Sequence, residues 1–271
     1  MSTLPILLEV IWKGAWKYIV GFASFPIAVR GSGLILEDVR KRWQSASAAR
    51  RVISTQLDPL LKAADELQGK LRSLAEEDFC EFRSIDASIA SGTDLVNLCS
   101  TLYLFAQFWG RLEILRRESF HAELTKNPQG KLLMNFLRCL ESKHVRLVDR
   151  AWQRAIGELV IAQSKPTADV ITFKAFVEQY EEVQRTREWV RPLEEILRET
   201  KFRRARQRVL QYGVIVQALI DTLDPDHHTT RDRPAYPNKL SRRAKRELIG
   251  RVFGVYLPEV KRVQKYTGIP G

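Results

Sequence analysis

FRRARQRVLQYGVIVQALIDTL (202–223) decides the reading of this chain. Phe202, Ala205, Val209, Tyr212, Val216, Leu219 and Leu223 are spaced alternately three and four residues apart. That spacing lays the apolar side chains along one stripe of an α-helix and has none of the alternation of a strand. About two and a half heptads inside a longer chain predict the seam of a bundle rather than a dimeric coiled coil. The same period recurs upstream. Leu60, Ala64, Leu67, Leu71 and Leu74 form a second seam, with Asp58 as a cap and Pro59 predicting a break or kink near 58. Leu95, Leu98, Leu102, Phe105, Trp109 and Leu112 make a broad face that ends by NPQG (127–130). Leu133, Phe136, Leu137, Leu140, Val145, Val148, Trp152 and Ile156 carry the pattern through 131–160, and 174–200 is helical with Pro192 as a new start. LVIAQ (159–163) and VITF (170–173) are rich in β-branched residues around a Pro-containing linker. They read as a short hairpin, or as a helix continued to about 163. The fold class is therefore all-α: a bundle of long amphipathic helices with at most one short β-hairpin near 159–173.

The 271 residues suffice for a core without staples. Hydrophobic residues make up 45% and charged residues 28%, which excludes a wholly disordered chain. Cys80, Cys99 and Cys139 lie far apart in helical, mostly apolar contexts, with no metal-ligand spacing. They read as buried, reduced thiols. The net charge of +12 is unevenly spread. Residues 201–271 hold 16 Lys/Arg against 6 Asp/Glu, and residues 1–200 hold 28 against 26. Such asymmetry points to an anionic partner for the basic end: a membrane surface, a nucleic acid or an acidic protein.

The cations gather in two places. Arg203, Arg204, Arg206 and Arg208 open the helix at 202–223. Lys239, Arg242, Arg243, Lys245 and Arg246 open the predicted helix KLSRRAKRELIGRVFGVYL (239–257), which Ser241 is placed to cap. Cations in a first helical turn oppose the helix dipole, and an anionic partner would reverse that penalty. The competing reading pairs these arginines with Glu178–Glu182 or Glu194–Glu199. The anionic-partner residues are taken as Arg203, Arg204, Lys239, Arg242, Arg243, Lys245 and Arg246. His121 and His144 stand alone. His227 and His228, in the irregular loop DPDHHTTRDRPAYPN (224–238), lack ligand spacing for a metal. No phosphate-binding loop, dinucleotide fingerprint, nucleophile elbow or zincin motif occurs, so no catalytic residue, metal or cofactor is nominated.

LPILLEVIWKGAWKYIVGFASFPIAV (4–29) is the most apolar segment. A signal peptide is not expected, because the segment lacks a basic start and Glu9, Lys13 and Lys17 interrupt it. Those charges share one stripe. Leu7, Leu8, Ile11, Trp12, Trp16, Ile19, Phe22 and Phe25 are the candidate membrane-contacting residues. The segment reads as a tilted span, an in-plane amphipathic helix or a core helix. If it spans, the Arg/Lys-rich stretch 30–51 holds the body on the cytoplasmic face; otherwise the protein is soluble in the cytoplasm.

Five blocks carry a resemblance: DPLLKAADELQGKL (58–71), STLYLFAQFWGRLEILRRE (100–118), RAIGELVI (154–161), FKAFVEQY (173–180) and VLQYGVIVQALIDTLDPD (209–226). In this order they resemble a family of uncharacterised bacterial proteins with an N-terminal membrane anchor and a helical cytoplasmic body. The resemblance implies that architecture over roughly 35–226 and brings no activity or site residues. It departs at Glu9, Lys13 and Lys17 in the anchor and at the basic extension after 226. The expected organisation is an apolar N-terminal helix (1–33), a bundle (34–226), and a basic loop with a C-terminal helix (227–271). The expected function is a membrane-associated scaffold or sensor. The alternatives are a nucleic-acid-binding protein and a helical-bundle enzyme.

Overall fold

A computed structural model describes residues 53–82, 93–118, 127–162 and 168–269. The segment 4–29 and its candidate membrane-contacting residues lie outside the described residues, as does His121.

The described residues form an all-α bundle with one two-stranded hairpin. Helix α1 covers 53–76. It is followed by α2 (Thr93–Glu118), α3 (Pro128–Leu140) and α4 (Arg150–Leu159). Strands β1 (Ile161–Ala162) and β2 (Asp169–Val170) pair antiparallel, with Ile161 opposite Val170 and Ala162 opposite Asp169. Then come α5 (Phe173–Glu182), α6 (Gln184–Arg198) and α7 (Arg203–Leu223). Helix α8 (Arg242–Glu247) runs on into a π-helical segment, Leu248–Phe253, and a last turn, Gly254–Tyr256; α9 is Val263–Thr267.

Helix α7 is the centre. Its predicted stripe is buried from Ala205 to Leu223, except that Phe202 lies outside the helix and is 61% exposed. The burial also exceeds one stripe. Every residue from Val209 to Ile220 is buried, including Gln211, Gly213 and Gln217. Helices α3, α6 and α8 pack on it. From α1, the Gln68 amide donates to Gln217 at 3.4 Å. A helix enclosed on all sides is a core helix, and three consecutive buried apolar residues, Val214–Val216, are its mark.

Five sequence expectations are corrected. Helix α1 passes through Pro59 and α6 through Pro192 without a break. Each proline lies among exposed residues (Thr55, Asp58 and Lys62; Glu188, Arg191 and Glu195), so the carbonyl left without its donor is on the solvated side. The interruption in 174–200 falls instead at Val183, whose extended backbone separates α5 from α6. NPQG begins a helix rather than ending one. Asn127 accepts from the Gln129 N–H at 2.9 Å, and Pro128 occupies the first turn. The stretch 131–160 is two helices, with buried Val145 and Val148 in the turn between them. Cys80 is exposed, in a 3-10 turn, whereas Cys99 and Cys139 are buried. Burial pushes the Cys99 thiol up to about 11 and the Cys139 thiol higher still.

Helices α2 and α4 cross in close contact. Gly110 and Gly157 face each other there, and a Cβ on Gly157 would stand 2.7 Å from the Trp109 carbonyl carbon. Residues 236–266 complete the same core through Tyr236, Leu240, Leu248, Val252, Phe253, Leu257 and Tyr266. Among the described residues, no helix is long and apolar enough to cross a membrane.

Candidate functional site

The end of α1 and the starts of α7 and α8 meet at one cleft. After α1 the chain turns through two non-glycine residues of positive φ, Asp78 (50°) and Phe79 (59°). Such backbone is disfavoured for a bulky residue. Burial of Phe79 to 1% exposure offsets it, and the Phe79 N–H closes on the Leu74 carbonyl at 2.7 Å. The turn places the Asp78 carboxylate beside the start of α7, where Lys239 Nζ approaches it at 3.4 Å and Arg206 Nη1 at 3.9 Å.

Phe202 occupies the N-cap of α7 without a side-chain hydrogen bond, and no acidic residue lies in the first turn. Arg206 is held by its own backbone neighbours: Nε donates to the Thr200 carbonyl at 3.2 Å and Nη2 to that of Lys201 at 3.4 Å. Gln207 fastens the other wall. Its Nε2 donates to the Lys239 carbonyl at 3.0 Å, and its Oε1 accepts from the Ser241 N–H at 2.7 Å. One turn on, Gln211 Nε2 donates to the Ala244 carbonyl at 3.2 Å. Two glutamines of α7 thus fix the start of α8, and Ser241 caps it by accepting from the Ala244 N–H at 3.2 Å.

The resulting cleft has a volume of about 320 Å³. Its floor is apolar: Ala75, Phe79, Leu210 and Leu240. Arg203, Arg206 and Lys239 line it against a single carboxylate, Asp78. Asn238 and Ser241 add polar groups. Its cations outnumber its acids, and the uncapped start of a 21-residue helix adds partial positive charge.

The two predicted basic clusters therefore meet, and their members divide. Arg203 and Lys239 line the cleft. Arg204, Arg242 and Arg246 are exposed and ion-pair with no described residue; neither does Arg203. Arg243 pairs with Glu247 at 3.0 Å. Lys245 is half-buried and makes no ion pair with a described residue. Arg208 is structural, its Nη2 donating to the carbonyls of Arg146 and Leu147 at 3.0 and 2.9 Å. The glutamates proposed as partners serve other residues: Glu178 pairs with Lys174, Glu194 with Arg198 and Glu195 with Arg191. Sequence reasoning missed Asp78, Asn238 and the exposed ring of Phe202. Only tertiary structure brings the first two to the cleft.

Two other polar clusters are structural. Arg116 bridges Glu113 and Glu141, and Arg154 reaches the same Glu141 carboxylate at 3.3 Å. In the loop after α7, His227 has a left-handed backbone (φ 52°) and approaches Asp232 at 3.5 Å and Asp221 at 3.8 Å. Asp221 is engaged by Lys265 at 2.7 Å and the Tyr266 hydroxyl at 2.8 Å. Among the described residues, no group of three or more His, Cys, Asp or Glu side chains could hold a metal ion. No family model, curated protein or solved structure matches the chain.

Proposed function

We propose that this protein is a non-enzymatic helical scaffold whose basic face sits against an anionic, phosphate-rich surface, with the cytoplasmic face of a membrane as its place of work. The observation that carries this reading is the set Arg203, Arg204, Arg242 and Arg246. All four are exposed, Arg203, Arg204 and Arg242 lie at the neighbouring starts of α7 and α8 with Arg246 one turn further along α8, and none ion-pairs with a described residue. Lipid phosphates would supply the missing counter-charge, each cation near such a surface being worth about 1 kcal/mol. The exposed Phe202 ring beside them suits the headgroup layer, where an aromatic ring with one wet edge is stable. The apolar segment 4–29 supports the same reading from the sequence side. Charge complementarity favours this scaffold over the enzyme alternative, for which no residues are nominated.

Flotation of the full chain tests it. Binding to vesicles with about 30% phosphatidylglycerol, weak binding to phosphatidylcholine alone, and release as salt rises are expected. Changing Arg203, Arg204, Arg242 and Arg246 together to Gln should remove most of the difference. Equal behaviour with both vesicle types ends the proposal. A second reading rests on Phe202, whose exposed ring among cations also suits stacking on a nucleic-acid base. A salt-sensitive mobility shift with single-stranded RNA or DNA, lost in Phe202→Ala, favours that reading instead.

A further inference from the structure

We infer that the cleft between α1, α7 and α8 is a binding site for a single phosphomonoester carried on a small organic body. The inference rests on the cleft and does not require the chain to meet a membrane. A diffuse basic face needs only exposed cations. This site is a half-open cleft with a volume of about 320 Å³, within the size range of small-ligand clefts. Its three cations converge from two separate elements. Arg203 and Arg206 come from the start of α7, and Lys239 comes from the turn before α8.

The cations differ in how they are held. The Arg206 guanidinium is fixed through the Thr200 and Lys201 carbonyls, so its position is set before any ligand arrives. Lys239 Nζ makes only long contacts, 3.4 Å to the Glu76 carbonyl and 3.4 Å to Asp78, which a stronger acceptor would displace. Arg203 has no described ion-pair partner and is free to close over an incoming group. Three cations against one carboxylate leave room for a double negative charge. A phosphomonoester carries one above its second ionisation, near pH 6, whereas a phosphodiester carries a single charge at every ordinary pH. The floor of Ala75, Phe79, Leu210 and Leu240 accommodates apolar atoms of the ligand body, and Asn238 and Ser241 offer hydrogen bonds at the side.

Calorimetric titration of the full chain with inorganic phosphate and with glycerol 3-phosphate tests the inference. Saturable one-site binding is expected, stronger at pH 7.5 than at pH 5.5 for glycerol 3-phosphate, and tighter for it than for sulfate. Arg203→Gln and Lys239→Gln should each weaken it about tenfold. Arg242→Gln, outside the cleft, should leave it within about twofold. Arg203 is exposed and makes no hydrogen bond or ion pair with a described residue, so its variant is expected to keep the fold, which a thermal melt checks for both variants. Vesicles of phosphatidic acid and of phosphatidylglycerol separate the sources. A preference for phosphatidic acid that Arg203→Gln abolishes assigns the phosphate to a lipid headgroup. Binding of glycerol 3-phosphate without that preference assigns it to a soluble metabolite. Either result supports the site. Absence of saturable binding by any soluble phosphate together with no Arg203-dependent preference for phosphatidic acid, or equal weakening by Arg242→Gln and Arg203→Gln, overturns it. The basic face would then act only as a diffuse surface, and the flotation result would be unaffected.

Discussion

Gly213 and Tyr236 occupy one space. Gly213 lies in the middle of α7, where alanine would ordinarily be favoured by about 1 kcal/mol. Here a Cβ would fall onto the Tyr236 hydroxyl and press on Leu71 Cδ1 at 3.3 Å. Tyr236 is fully enclosed, and burial holds its hydroxyl well above its ordinary ionisation range. Gly213→Ala should therefore destabilise the protein by about 1–3 kcal/mol, against helix propensity, as read by urea or thermal unfolding. Tyr236→Phe removes the obstructing oxygen, so the double variant should lose less than the sum of the two singles. Strict additivity would show that the two residues do not compete. The sequence carried half of this. Tyr212 and Val216 named the helix and its face, but nothing local to QYGVI showed that the glycine is required by a residue 23 positions later.

At the scale of elements, Gly110 and Gly157 decide how closely α2 and α4 lie. The obstacle to a side chain at Gly157 is backbone, with the Trp109 carbonyl carbon at 2.7 Å and the Gly110 nitrogen at 2.9 Å, so no rotamer change relieves it. Gly157→Ala should push the helices apart and lower the melting temperature by about 5–10 °C. An unchanged melt would mean the crossing is looser than it stands here. Much at this scale was legible: the α7 stripe, the hairpin near 159–173 and the Ser241 cap all follow from local pattern. The errors share one cause. Pro59, Pro192 and NPQG were read by residue type, whereas their effect depends on which side of the helix faces water and on which element follows. The cleft was half legible. Its cations cluster in sequence, but Asp78 meets Lys239 across 161 positions, and the left-handed turn at Asp78–Phe79 contains no glycine to announce it.

At the scale of the whole molecule, stability in acid depends on carboxylates that folding holds ionised. Burial pushes the Asp224 carboxyl up. Hydrogen bonds from the Thr229 N–H, the Thr230 hydroxyl and N–H, and the His228 N–H outweigh burial and leave it below its ordinary value. In Glu247 the hydrogen bond from Arg243 leads, opposed by burial. A folded value below the unfolded one gives stability that is full above the unfolded value and lost as pH falls through the folded one. The protein should hold a plateau above about pH 4.5 and weaken below about pH 4. Asp224→Asn should cost about 1–3 kcal/mol at pH 7 and flatten the acid limb, as urea unfolding at stepped pH would show. A limb unchanged by the substitution would remove Asp224 from this account. The same region laces the ends of the fold together. Arg72 donates to the Pro234 carbonyl at 2.7 Å, Arg233 pairs with Asp65, and the Thr229 hydroxyl reaches Asp58 at 3.5 Å, spanning 162, 168 and 171 positions. During synthesis α1 emerges well before the strap that covers it. Its outer side stays uncovered while some 160 further residues are added, which at about 5–20 residues per second is roughly 10–30 s. Closure of this strap therefore comes late relative to α1 and joins residues far apart in sequence, and a ribosome that stalls before residue 233 leaves a chain with an unfilled seam for chaperones to guard.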